Sequence, residues 1–404
     1  MKRFLPVIIL ALCAVCSCVD EQSNPYEQSL RDLHVLLAYP DGWTDFCRSG
    51  VGVKVENVNL GNVYEAESDA AGHALFRLPV GVYRVSVSDV SGDDIFNGSV
   101  DRVRLILNST LVTDTLSHST AGHIVIKEIY CGGCMKYPEQ GTYQADQYVI
   151  LHNNYPQTEY LDGLCFGCLA PYNSNASNPF LGESSSLPSY VPVIQAVWQF
   201  GGNGESFPLE PGEDAVVCLR GAIDHSAQYP LSVNLNRPGY FVCYNSTYFT
   251  NTAYHPAPGS NITPDRYLDV LIKTGQANAY TYSVSSPATV LFRAPSGVDI
   301  KDWLLTDGAV EQLPGSSIDR VVCVPPEWVC DAVEVFNGAS SSNSKRLLNA
   351  LDAGYVSLSG TFLGHSLFRL TDGDLSSQMG YEVLQDTNNS SADFYERETQ
   401  SLHE

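Results

Sequence analysis

Apolar and polar residues alternate along most of this chain in short runs, and Gly, Pro, Asn and Ser separate one run from the next. Tyr83, Val85 and Val87 show the period of two that is typical of a half-buried strand, because successive side chains of a strand point to opposite faces. The pattern predicts an all-β protein. The best helical candidate, residues 331–351, has interrupted apolar positions. Before residue 120 the predicted strands are LHVLLAY (33–39), VGVKVENV (51–58), NVYEAESD (62–69), HALFRLP (73–79), GVYRVSVSD (81–89), VDRVRLILN (100–108) and LVTDTLS (111–117).

Within this first segment, Asp69 and Gly72 predict a turn, Leu75–Phe76 begin the returning strand, and Gly81–Tyr83 begin the next one. This order of acid, glycine, apolar run and Gly-x-Tyr resembles carboxypeptidase regulatory-like domains, which have a transthyretin-like fold. The resemblance implies a small seven-stranded β-sandwich over residues 31–118. Such modules usually act as spacers or stalks in surface proteins.

A second strand-rich segment, residues 122–398, resembles the lamin-tail-like, immunoglobulin-like β-sandwich. Lys127 and Ile150 replace two polar residues of that motif. The resemblance implies a larger sandwich with long loop insertions at 170–200 and 226–290. The stretches that carry it are HIVIKEIYCGG (123–133), DQYVILHNNYPQTEYLDGLCF (146–166), FPLEPGEDAVVCL (207–219) and FLGHSLFRL (362–370).

Two further stretches, residues 197–226 and 384–394, resemble an uncharacterised family of bacterial lipoproteins, a domain-of-unknown-function family without assigned activity. The resemblance covers roughly residues 120–400. The resemblance implies an architecture and a location in the cell. No catalytic residue can be transferred from this family.

The N-terminus has the layout of an export signal: a basic pair, then the apolar run Phe4–Cys16, which is too short to span a bilayer. Cys18 follows the small residue Ser17 and has Val15 three positions before it, as a lipidation site requires. We therefore expect a lipoprotein signal peptide over residues 1–18, a lipidated Cys18 and a tether over 19–30. The alternative is ordinary secretion, with these cysteines removed.

The acidic pair after Cys18, Asp20–Glu21, resembles the tag that directs some lipoproteins to the cell surface. We therefore expect an outer-membrane lipoprotein that is exposed on the cell surface and held to the membrane by its lipid anchor. Removal of the signal takes away two basic residues, so the formal charge falls from −23 to −25. A surface this acidic repels nucleic acid, which we exclude as a partner.

Two cysteine pairs at metal-ligand spacing, Cys131/Cys134 and Cys165/Cys168, leave several interpretations open. They could hold zinc, because paired thiolates two residues apart can bind one ion. An exported protein favours disulfides instead, and free cysteines often pack as small apolar side chains. Redox catalysis is disfavoured, since no helical pattern follows the first pair. Two other pairs, Cys218/Cys243 and Cys323/Cys330, could also form disulfides; Cys47 stands alone in the first segment.

No catalytic motif accounts for the chain. The segment GHSLF (364–368) has Phe368 where the nucleophile elbow needs glycine, so a structural strand is the better interpretation. The pair Asp224–His225 is isolated in a loop. We therefore expect no enzymatic activity and no cofactor.

Residues 226–290 are rich in tyrosine and asparagine, which suits a binding surface because tyrosine combines apolar area with hydrogen bonding. The candidate ligand-binding residues are Tyr240, Tyr244, Tyr248 and Tyr254. Our leading hypothesis is a non-catalytic binding or adhesion module for a glycan or an extended peptide. The alternative is a structural accessory subunit of an outer-membrane transport or surface assembly. An unrecognised hydrolase is a third hypothesis, which would require a deep pocket with converging catalytic groups.

Overall fold

A computed structural model describes residues 30–43, 49–181, 186–338 and 342–403. Within these residues strands far outnumber helices, which confirms the all-β class. The signal peptide, the lipidation site Cys18, most of the tether and Cys47 lie outside the described residues. In the described part of the chain, no helix has both the length and the apolar character needed to cross a membrane.

The first sandwich places three strands in one sheet, in the order β4-β1-β7, and five in the other, in the order β3-β2-β5-β6-β8. Side chains that alternate along the strands fill the space between the sheets; Leu33, Val35, Phe76 and Val85 are among them, and all are buried. The bounds are β1 Leu30–Ala38, β2 Gly52–Asn57, β3 Val63–Glu67, β4 His73–Pro79, β5 Gly81–Ser91, β6 Asp94–Leu105, β7 Ser109–Thr115 and β8 Ser117–Thr120.

The described residues of this sandwich form eight strands, one more than expected. The additional strand, β8, lies where the sequence suggested a domain boundary, and it pairs antiparallel with β6. Its residues are polar and alternate between exposed and half-buried positions. An edge strand of this kind buries little apolar surface, so its hydrophobic pattern gives no signal.

The second sandwich has a six-stranded sheet in the order β18-β17-β12-β9-β25-β26. Its larger sheet has the order β21-β22-β15-β14-β20-β23-β24, with β19 paired to β15. The strands are β9 Ile124–Tyr130, β10 Cys134–Met135, β11 Thr142–Tyr143, β12 Tyr148–Asn153, β13 Glu159–Tyr160, β14 Cys165–Leu169, β15 Val191–Gln199, β16 Pro208–Leu209, β17 Asp214–Cys218, β18 Phe241–Val242, β19 Asp269–Lys273, β20 Ala288–Phe292, β21 Val310–Gln312, β22 Arg320–Val324, β23 Val329–Phe336, β24 Val356–Ser357, β25 Ser366–Arg369 and β26 Phe394–Arg397. The helices are α1 Ile300–Trp303, α2 Gly373–Met379 and α3 Ser390–Asp393, with 3-10 turns at Pro264–Arg266 and Pro326–Trp328.

The main core lies between these two sheets, where Ile126 and Val217 of the first meet Trp198 and Val333 of the second. Both outer faces are also apolar, and loops cover them. The central strands β9, β12, β14 and β20 are therefore buried on both faces, and they show little of the alternation that marks a half-buried strand.

Three expectations for this domain are wrong. Residues 170–200 were expected to be an insertion, yet they contain β15, which pairs with β14, β19 and β22. Residues 226–290 were expected to be a second insertion, yet they contain β18, which pairs with β17, and β19, which pairs with β15. Residues 331–351 were the helical candidate, yet β23 occupies their first part. Strands β15 and β23 are largely buried and lack a clear alternation, and β23 also carries the buried charges Asp331 and Glu334, so their hydrophobic pattern gives no strand signal.

A buried ion pair joins the two sheets of the second sandwich. The Arg369 guanidinium on β25 donates to Asp331 Oδ2 on β23 at 2.5 Å and to the Ile126 carbonyl on β9 at 2.7 Å. Asp331 in turn accepts from the Ile126 backbone N–H at 2.6 Å. Arg369 also donates to Asp386 Oδ1 at 3.0 Å, so the same group fixes the segment that begins there.

That segment contacts the first sandwich. Asn97 donates from its side-chain amide to the carbonyls of Thr387 and Asn388, at 2.8 and 2.9 Å. Nearby, the Arg84 guanidinium lies 4.8 Å from the ring centre of Tyr355, whose hydroxyl donates to Glu56 at 2.6 Å. The two sandwiches therefore meet through hydrogen bonds and a cation–π contact.

We expect Asp331→Asn to lower the free energy of unfolding by roughly 3–5 kcal/mol, because it leaves the Arg369 charge buried without its closest counter-charge. Urea unfolding followed by tryptophan fluorescence measures this loss. The control Asp307→Asn makes the same substitution at an exposed position, where a change within about 0.5 kcal/mol is expected. Equal stability of both variants would contradict a stabilising role for the pair.

Candidate ligand-binding site

The two cysteine pairs that prompted the zinc hypothesis are free thiols. Cys131, after β9, and Cys168, on β14, lie in the core between the sheets. Cys165 lies on the opposite, outer face of β14 and packs with the residues beneath the covering loops. Within the described ranges, no group of three or more His, Cys, Asp or Glu side chains is placed to hold a metal ion.

The remaining cysteines of the described chain are free as well. Cys218 and Cys243 are adjacent, and the Cys243 N–H donates to the Cys218 carbonyl at 2.9 Å. Cys323 packs in a separate small cluster from Cys330. Burial raises the pKa of the Cys131, Cys134 and Cys168 thiols to about 12, which keeps them protonated at neutral pH.

The CGGC segment (131–134) has a structural role that its glycines explain. Gly133 has φ +70°, and a Cβ at this position would lie 2.1 Å from the Tyr143 carbonyl oxygen. Only glycine permits this close approach, which allows β10 to pair with β11. The pairing fixes the next residue, Gln144, whose carbonyl accepts a hydrogen bond from Arg220.

The tyrosine-rich loops are partly core and partly surface. Tyr229 and Tyr280 are buried, so they close over the sandwich rather than face a ligand. Tyr244 stacks on His255 with ring centres 5.1 Å apart.

The four candidate tyrosines do not converge on one site. Tyr240 lines a depression of about 360 Å³ with Arg266, whose guanidinium lies over Phe241. Tyr248 is exposed. Tyr254 is 54% exposed and lines a different cavity.

That cavity, which we term the Arg220 pocket, has a volume of about 300 Å³. The Arg220 guanidinium lies 5.6 Å from the ring centre of Tyr254. The pocket combines aromatic rings, amides, hydroxyls and a single charged side chain. Its lining residues are Gln144, Tyr172, Asn173, Arg220, Tyr254, Thr281, Tyr282, Val284 and Ser285.

Arg220 differs from the other buried arginines of this sandwich. Arg346 pairs with Glu334 at 2.6 Å, and Arg369 pairs with Asp331. Arg220 is 3% exposed, yet its described contacts include no carboxylate at ion-pair distance, and its Nε has no acceptor. Burial lowers the pKa of Arg220, and the neighbouring groups, Asp146 among them, offset this effect only in part.

Two titratable groups near Arg220, Asp146 and His255, lie outside the lining of the pocket. The buried Asp146 accepts hydrogen bonds from Ser232 Oγ at 2.6 Å and Tyr130 Oη at 3.1 Å, and burial raises its pKa. Burial and the Arg220 charge lower the pKa of His255 to about 4, so this imidazole is neutral at pH 7. The pocket therefore presents one positive charge.

The pairs weighed for catalysis are engaged in local contacts. Ser366 is buried on β25, and its neighbour His365 places Nδ1 2.6 Å from Glu396 Oε1. His225 places Nδ1 2.7 Å from the Tyr143 hydroxyl and Nε2 2.9 Å from the Gly221 carbonyl. Asp224 accepts from the Ser226 hydroxyl at 2.6 Å.

The C-terminal half of the chain is similar to a known protein family. Residues 210–401 match DUF4876, a family of proteins of unknown function. The expected resemblance to an uncharacterised family is thereby confirmed. Arg220 and Tyr254 lie in this DUF4876 region, whereas Gln144, Tyr172 and Asn173 precede it.

A crystal structure of a DUF4876 family protein from Bacteroides thetaiotaomicron matches with a TM-score of 0.59 and 24% identity, over 90% of this chain and 94% of that chain. At this identity the match shows a shared fold alone. The major pilin SpaD from Corynebacterium diphtheriae aligns with 41% of this chain and 48% of its own at 11% identity, but its TM-score of 0.18 does not indicate a common fold. A comparison with curated proteins finds no match.

Sequence reasoning identified Tyr254 and missed the other side chains of the Arg220 pocket. One signal was present: Arg220 comes directly after DAVVCL (214–219), a run that is buried almost throughout. A charge at the end of a buried strand needs a partner or a function. Tyr172 and Asn173 reach the site from a distant loop, which no local pattern reveals.

We expect the seven buried thiols of the described chain to react with iodoacetamide at pH 8 only after unfolding, because burial keeps them inaccessible and protonated. Intact mass and peptide mapping of the protein starting at Asp20, with and without urea, measure the labelling. The variant Thr252→Cys, which places a thiol at an exposed position, should label at once and serves as the control. A native mass two daltons lower per cysteine pair, or one bound zinc with four protected thiols, would contradict this expectation.

Proposed function

We propose that this protein is a non-catalytic binding module of the cell envelope, and that it binds a glycan in the Arg220 pocket. The first sandwich serves as a stalk, and the second presents the site. The observation that carries the proposal is the unpaired, buried charge of Arg220 among aromatic, amide and hydroxyl groups. A bound ligand would supply the acceptors that the protein itself lacks.

The chemistry of the lining supports a sugar ligand. Tyr172 and Tyr254 offer rings on which the apolar face of a sugar can pack, and aromatic side chains do so at low entropic cost. Asn173 accepts from Ser283 Oγ at 2.5 Å through Oδ1, which leaves its amide nitrogen available to a ligand. A volume of about 300 Å³ is at the lower end of the range for small-molecule sites and suits one or two sugar units.

The residue types that line the pocket favour binding over glycoside hydrolysis. Hydrolysis of a glycosidic bond usually needs two placed carboxyl groups, one as acid and one as base or nucleophile. The lining contains one charged group, an arginine, which cannot exchange a proton at neutral pH. Arg220 is therefore assigned to recognition.

The location is also a proposal. The N-terminal pattern that ends at Cys18 supports a lipid anchor in the outer membrane. The tether and the stalk would then hold the Arg220 pocket away from the bilayer. The hydrogen bonds from Asn97 to the segment held by Arg369 support a fixed orientation of the second sandwich on this stalk.

A second candidate role is an accessory subunit of a surface assembly, favoured by a different face. On the outer side of the three-stranded sheet, Leu75 and Leu111 lie on either side of His34 and are 59% and 65% exposed. Exposed apolar patches mark many protein interfaces. This role would place a partner on the stalk and would not involve the Arg220 pocket.

We expect Tyr254→Ala to weaken glycan binding roughly five- to thirty-fold, because truncation of an aromatic anchor typically costs about 1–2 kcal/mol. The measurement is a glycan array followed by titration calorimetry with the best-bound glycan. Tyr248→Ala is the matched control, since Tyr248 is similarly exposed and does not line the pocket. Absence of any glycan binding by the wild-type protein, or equal losses in both variants, would contradict the proposal.

A further inference from the structure

We infer that the ligand of the Arg220 pocket is an acidic sugar whose carboxylate pairs with the Arg220 guanidinium. This inference rests on the proposed function, in that it takes the pocket as a glycan site and names the chemical class of the glycan.

Within the described ranges, the Arg220 guanidinium has a buried donor without an acceptor. Arg220 NH1 donates to the Gln144 carbonyl at 3.2 Å, and Nε is buried without an acceptor among the described residues. A buried donor without an acceptor is costly, and a carboxylate is the acceptor that matches the planar fork of a guanidinium.

The charge of the pocket matches a ligand with a single negative charge. Arg220 is the only charged residue that lines the cavity within the described chain, and the neighbouring His255 is neutral. A single guanidinium neutralises a monoanion, whereas the second charge of a phosphate monoester would remain buried without compensation. The chain as a whole carries a formal charge of −23, which disfavours a dianion further. The pocket therefore suits a carboxylate better than a phosphate.

The shape and lining of the pocket favour a sugar acid over a peptide C-terminus. Peptides bound in an extended form usually pair their backbone with a sheet edge. The Arg220 pocket instead gathers side chains from separate loops around a compact volume, with Tyr172 and Tyr254 supplying rings and Asn173 and Gln144 supplying amides. A compact ring that bears hydroxyls and one carboxylate, such as a uronic or sialic acid, matches this set.

The test uses galacturonate, glucuronate and N-acetylneuraminate oligosaccharides, each as the free acid and as its methyl ester. The ester keeps the shape of the sugar and removes its charge. Titration calorimetry with the wild-type protein should show at least one acid that binds roughly tenfold or more tightly than its ester. This comparison needs no variant, so a folding defect cannot obscure it.

Two variants test whether Arg220 causes the preference for the acid over its ester. Arg220→Met should abolish the preference for the acid, and Arg220→Lys should restore part of it, because lysine keeps the charge without the bidentate fork. Arg266→Met removes an arginine that lines the other depression and should leave binding unchanged.

The possible outcomes are distinct. Equal binding of acid and ester, or binding of neutral sugars only, would overturn the inference and leave the proposed glycan function standing. Tighter binding of a short peptide acid than of every sugar acid would overturn the sugar assignment. Failure of all saccharides, charged and neutral, would overturn the proposed function itself.

Discussion

The ion pair between Arg369 and Asp331 is the interaction on which the arrangement of the second sandwich depends. It joins strands from opposite sheets, and Arg369 also holds the segment that contacts the first sandwich. A buried charge is tolerated only when a counter-charge and hydrogen bonds surround it. Here one arginine connects strands of both sheets with the segment that contacts the first sandwich.

Arg220 is the exception, because it is a buried charge without a carboxylate partner among the described residues. This property is the basis of the proposed function. Two other arginines of the same sandwich, Arg346 and Arg369, are buried and have carboxylate partners. Arg220 is buried to a similar degree in the wall of a cavity, and the described residues provide no such partner. Strand β17 and the hairpin formed after the CGGC segment hold it in place, so the uncompensated charge is a fixed feature of the fold.

The sequence predicted much of the fold because alternation and turn residues are local signals. Every strand run predicted before residue 120 is found in a strand. The prediction from sequence failed where pairing and burial depend on distant parts of the chain. Strand β15 is apolar on both faces, and β8 is a polar strand at the edge of its sheet. The Arg220 pocket was mostly hidden for the same reason, since Tyr172 and Gln144 join it through tertiary contacts. The cysteine spacing was a misleading local signal, because Cys165 and Cys168 point to opposite faces of one strand.

The most direct test of this account is the free energy of unfolding of the ligand-free Arg220→Met variant, from urea denaturation at pH 7. Methionine fills similar space without charge. If Arg220 is held uncompensated for a ligand, the variant should be as stable as the wild type or more stable, because a desolvated charge has been removed. A loss of several kcal/mol, of the kind expected on removing one partner of a buried ion pair, would show that Arg220 is a structural residue and would contradict the account.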